Sequence, residues 1–142
     1  MNVEILNKLI FSCGILHIAL GIGSCIIPQL LHWNTELEKV KPLIRQMFWT
    51  YAAYILVINF CFGLISIWGT QELLNHSFLA ACLTLFISVY WLTRIVIQFF
   101  YFDKTDAPKG LLFTFGEIGL VSLFVLFSVI YFIAFLYNIS WI

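Results

Sequence analysis

Charge is scarce in this chain: only 10% of its residues are Asp, Glu, Lys or Arg, against about 25% in soluble globular domains. The seven basic and seven acidic residues cancel. No segment gathers a basic stripe, so a nucleic-acid partner held through its phosphates has no electrostatic footprint here. Four cysteines, Cys13, Cys25, Cys61 and Cys82, all fall inside apolar runs and form no Cys-x-x-Cys pair, which argues against a disulfide scaffold, a zinc ribbon or a dithiol redox centre. Paired carboxylates, histidine boxes, a serine nucleophile motif and a phosphate-cradling glycine loop are also missing. The sequence therefore leans away from an enzyme without excluding one, and it leaves any cofactor unknown.

What the chain has instead is apolar surface. Hydrophobic residues make up 63% of the sequence and aromatic residues 18%, and the mean hydropathy is +1.03, values that make lipid the solvent. A hydrocarbon core needs about 20 helical residues to cross it. Four stretches qualify, predicted as helices over about 6–27, 46–68, 77–102 and 111–137. The first ends or kinks at Pro28, and 29–45 reads as an amphipathic connection with Leu30, Leu31, Trp33, Leu37 and Val40 turned toward lipid. The other connections, 69–76 and 103–110, are short, and Asp106 to Gly110 reads as a turn. The expected fold is all-α: an integral membrane four-helix transmembrane bundle with short loops, one domain covering 1–142.

Short cytoplasmic loops are enriched in lysine and arginine. Lys39, Lys41, Arg45, Lys104 and Lys109 all lie in the first and third connections, so both termini are expected on the non-cytoplasmic side of the cell membrane. The first helix is expected to stay in place rather than act as a cleaved signal. Glu4 offsets Lys8 ahead of it, and His17 interrupts what would be the apolar core of a signal. Trp33, Trp49, Trp68 and Trp141 fall near helix ends, where amphipathic rings favour the headgroup zone.

Residues three and four apart share a helix face. On the third span Ala81, Thr84, Ser88, Trp91, Arg94, Gln98 and Tyr101 form one seam. Gly14, His17, Gly21 and Ser24 align on the first, small residues that permit close helix approach. Asn59, Gly63 and Ser66 align on the second, and Thr114, Glu117, Phe124, Ser128 and Tyr131 on the fourth. Counting 1.5 Å per residue from the predicted ends puts Arg94 and Glu117 about 12 and 10 Å deep from one surface, and His17 and Asn59 about 16 and 13 Å deep from the other. These depths predict a central polar layer in which Arg94 and Glu117 form a buried ion pair, with His17, Asn59, Trp91, Gln98 and Tyr101 around it. An intramembrane charge of this kind marks function or fixes helix register. Cys13, His17, Cys61 and Cys82 fall at similar depths and make a soft-metal site thinkable. Buried cysteine, however, usually behaves as a small hydrophobe.

The function that follows is a non-catalytic accessory subunit or binding module. Its polar core would hold a lipid-like or quinone-like ligand or a membrane partner protein, with membrane lipids around it. A proton or small-ion conduit built from a homo-oligomer is the second reading. A membrane-embedded enzyme acting on a lipid is the third. A carboxylate paired with arginine is a poor general acid, which weakens that last reading.

Overall fold

A computed structural model of the chain describes residues 2–105, 107 and 109–140; Asp106, Pro108 and the Trp141 anchor lie outside the described residues. The elements are α1 (Val3–Ser24), α2 (Ile27–Leu30), α3 (Trp33–Leu37), α4 (Pro42–Trp68), a 3-10 turn (Glu72–Leu74), α5 (Phe78–Phe100) and α6 (Leu111–Asn138). Among the described residues there is no strand. α1, α4, α5 and α6 are long and apolar enough to cross a membrane, because even the 22 residues of α1 span about 33 Å. The all-α, four-span architecture expected from hydropathy is the one the chain forms.

The connections differ from expectation in three places. α4 begins at Pro42, four residues before the expected start, since a proline in the first helical turn lacks only an N–H that the turn leaves unbonded. The segment expected as one amphipathic run is instead broken into α2 and α3 by His32, whose φ of 51° is left-handed. Pro28 sits in the first turn of α2 rather than at the end of α1.

Contacts divide the chain into two units, Ile10–Thr70 and Met1–Leu9 with Gln71–Ile142. In the first, α1 crosses α4 at two glycines. A Cβ on Gly14 would fall 2.9 Å from the Gly63 carbonyl oxygen, and one on Gly63 would fall 2.6 Å from Ile18 Cδ1. Farther along α1, a Cβ on Gly21 would come within 3.0 Å of the Phe60 ring. Lipid supplies no hydrophobic drive for helices to associate, so this backbone approach and the dispersion contact it permits must do so.

In the second unit α5 and α6 pack antiparallel. Ala80, Ala81 and Ala134 let the backbones draw together around fully buried Ile87, Phe127 and Tyr131. Ser88 Oγ donates to the Ser128 carbonyl at 2.7 Å, and Ser128 Oγ donates back to the Ser88 carbonyl at 3.2 Å. This reciprocal pair fixes the register. Trp91 stacks on Phe124 at 4.9 Å just beyond it. At the opposite end Asn138 ties three segments together: its Nδ2 donates to Leu73 and Ala134 carbonyls at 2.8 and 3.0 Å, and its Oδ1 accepts from the His76 amide at 3.1 Å. Ser77 completes this end as the N-cap of α5, accepting from the Ala80 amide.

Gly63→Leu is expected to lower unfolding stability in detergent by about 1–3 kcal/mol through overpacking at the crossing. Gly116→Ala, with nothing within 4 Å of its Cβ position inside α6, should hold or raise the melting temperature. Asn138→Leu should cost about 1–3 kcal/mol by orphaning the amide and carbonyls it serves, measured by the same unfolding assay.

Candidate intramembrane polar site

The seam read from the sequence is real over most of its length. Ala81, Thr84, Ser88 and Trp91 are buried, and Arg94 and Gln98 are half-buried. Tyr101 departs from it: α5 ends at Phe100, and the Tyr101 side chain is 81% exposed. Part of the seam is not open for ligand chemistry. Thr84 Oγ1 donates to the Ala80 and Ala81 carbonyls of its own helix, the usual way a hydroxyl is satisfied in an apolar setting. Trp91, expected near the guanidinium or lining a cavity, stacks on Phe124 and tilts against Phe127, and Phe124 is also one of the rings beside Arg94.

The buried ion pair expected between Arg94 and Glu117 is not formed. Glu117 accepts instead from Lys104 Nζ and from Gln98 Nε2, the latter at 3.2 Å. The Lys104 and Glu117 side chains are 42% and 38% exposed, so their pair is a surface bridge and not a core one. Register explains the difference. Once Ser88 stands beside Ser128, Gln98, one turn beyond Arg94, is the α5 residue opposite Glu117. Depth counted from hydropathy boundaries cannot see a one-turn offset. Lys104, in the connection just past α5, then reaches back to the carboxylate on its flexible stem.

Arg94 is left with aromatic partners. Its Cζ lies 5.5 Å from the Phe102 ring centroid and 6.0 Å from that of Phe124, cation–π distances for a planar guanidinium. Among the described residues no carboxylate lies within salt-bridge distance of it. It stands six residues inside the end of α5, about 9 Å along the helix. Just outside the span, Asp103 accepts from the Thr105 hydroxyl and amide, and these hydrogen bonds hold its carboxyl below the usual range.

His17 and Asn59 belong to the other unit. His17 is fully buried, with Nδ1 2.8 Å from the Cys13 carbonyl and its ring edge-on to Phe62 at 5.9 Å. Asn59 is 5% exposed, and its Oδ1 is buried without a hydrogen-bond partner. Of the soft-metal set, Cys13 is buried, whereas Cys61 and Cys82 are exposed on their helices. Among the described residues no group of three or more His, Cys, Asp or Glu could hold a metal ion.

Two polar residues with roles in the α5–α6 unit, Lys104 at Glu117 and Asn138 at the other end of the helices, are not among those the sequence singles out. In the sequence Lys104 reads as a topogenic charge, although it is the cation nearest in sequence to the end of α5. Asn138 sits one residue past the predicted end of the last span, and a lone amide at the close of an apolar run was its only signal. Comparison with protein-family models, with curated proteins and with solved structures finds no match for this chain.

A double-mutant cycle of Lys104→Gln with Glu117→Gln is expected to give a coupling of about 1 kcal/mol or less, the range of exposed pairs. The cycle of Arg94→Gln with Glu117→Gln should give none. A coupling of about 3–5 kcal/mol in the second cycle would restore the buried ion pair. Asn59→Leu should hold or raise the unfolding temperature, because it removes a buried acceptor that no donor satisfies.

Proposed function

We propose that this chain is a small, non-catalytic multi-pass membrane protein whose Arg94 holds the oxygen-rich head of an amphiphile, a lipid-like or quinone-like molecule. One observation carries the reading: a guanidinium one to two turns inside a membrane-length helix, flanked by Phe102 and Phe124 and, among the described residues, without a carboxylate partner. A cation at such depth costs roughly 2.5–3.5 kcal/mol at the helix centre, and less toward its ends. Two phenyl faces offset part of that, and an anionic or carbonyl oxygen would offset more. Phe102, Phe124 and the apolar face of α5 supply walls for an acyl or isoprenoid tail, and Gln98 a further amide for the head. The surrounding membrane is the cell membrane, with both termini on its non-cytoplasmic side, as the lysine and arginine distribution favours. Membrane lipids, a membrane partner protein or further copies of the chain would be its neighbours there.

The test is purification of the full chain in mild detergent followed by native mass spectrometry. A small amphiphile should remain on the wild-type protein and be lost from Arg94→Gln, while Arg94→Lys, which keeps the charge but not the planar fork, should retain a reduced share. A wild-type protein that is empty of any such molecule, or that loses it equally from a variant at exposed Phe86, would overturn the proposal. Unfolding temperatures of the variants separate ligand loss from misfolding.

A further inference from the structure

α3 and the first turns of α4 enclose a second polar site, remote in sequence from Arg94. Trp33 packs edge-on against Phe48 at 4.9 Å and lies 6.0 Å from Trp49, and this aromatic knot holds the short helix α3 against α4. Beside it opens a groove of about 650 Å³ lined by Asn34, Glu38, Arg45, Gln46, Trp49 and Thr50. The groove carries one charge of each sign. Among the described residues Glu38 and Arg45 do not bridge one another and neither takes part in any other ion pair, whereas nearby Lys39 pairs with Glu36 at 2.7 Å. Thr50 Oγ1 donates to the Gln46 carbonyl at 2.9 Å, which leaves the side-chain amides of Asn34 and Gln46 and the indole of Trp49 as neutral polar groups of the lining.

Position narrows the ligand. Arg45 stands in the first turn of α4, a helix long enough to cross a bilayer, so the groove falls at a membrane surface, where phospholipid headgroups are the most concentrated small polar groups. A group that satisfies both walls must carry an anion for Arg45 and a cation for Glu38. The Arg45 guanidinium is a planar fork suited to phosphate. Glu38 and the Asn34 amide oxygen offer acceptors, which a primary ammonium can use through its N–H bonds and a quaternary ammonium cannot. We infer that the α3–α4 groove binds a phosphoethanolamine headgroup, with its phosphate on Arg45 and its ammonium on Glu38, and that the carrier is a membrane lipid whose acyl chains run down the α4 surface. Leu43, Met47 and Tyr54, 66, 45 and 63% exposed, present that surface.

The full chain reconstituted in nanodiscs of equal parts dioleoyl phosphatidylethanolamine, phosphatidylcholine and phosphatidylglycerol, then extracted into detergent, gives the retained lipids by mass spectrometry. Phosphatidylethanolamine should be enriched about fivefold over each of the other two, the scale of one added charge contact at a membrane surface. Glu38→Gln should erase the preference over phosphatidylcholine, and Arg45→Gln should lower retention of all three lipids about fivefold. Arg45→Lys should keep most retention while losing part of the preference. Both positions are exposed, and an unchanged melting temperature shows that the variants fold. Equal retention of the three lipids, or a preference untouched by Glu38→Gln, overturns the assignment. Displacement of the retained lipid by millimolar water-soluble phosphoethanolamine overturns the lipid carrier in favour of a soluble one. Arg94→Gln leaves this preference intact, so the result stands or falls apart from the amphiphile proposed at α5.

Discussion

In lipid no water is at hand to satisfy a stray donor or acceptor, and each backbone polar group left unpaired there costs several kcal/mol. That constraint shapes nearly everything in this chain. It makes the four long apolar runs helical, since a helix satisfies its own backbone, and it turns hydroxyls back onto their own carbonyls at Ser24, Thr84, Thr93 and Ser122. Apart from Gln98 and Lys104, which donate to the Glu117 carboxylate, the polar side chains that cross between segments of the α5–α6 unit bond to a partner's backbone. Ser88 and Ser128 do so in the middle of α5 and α6, and Asn138 does so at their end.

Close packing then rests on what is small. Gly14 and Gly63 bring two backbones together where any side chain would collide, and alanines do the same between α5 and α6. Helical spacing set Gly14 and Gly63 on seams apart from Gly23, Gly116 and Gly119, which have nothing within 4 Å of a Cβ position, but spacing does not say which helix lies against a seam. The difference is whether another helix passes over that point, which is a property of the crossing.

The charged residues sort by reach. Lys104 has a flexible stem and a loop position, so it takes the Glu117 carboxylate that the deeper arginine would otherwise need. Arg94, with a planar head and a fixed place on α5, settles on two phenyl faces. Arg45 stays at a helix start among polar neighbours. The first of these arrangements neutralises a carboxylate. The other two leave cations with no carboxylate partner among the described residues, and both functional proposals grow from that asymmetry.

Hydropathy was enough to determine the fold class, the number of spans and their ends to within a few residues, because the cost of exposing polar groups to hydrocarbon acts on each segment separately. Helical spacing likewise placed Thr84, Ser88, Trp91, His17, Asn59 and Gly63 on buried faces. Which polar group meets which was decided only by tertiary structure: a shift of one turn between α5 and α6 replaces Arg94 by Gln98 opposite Glu117, and the end of α5 at Phe100 turns Tyr101 outward. Registry between helices depends on the summed fit of many side chains and on single bonds such as Ser88 to Ser128, and no one segment's pattern contains that sum.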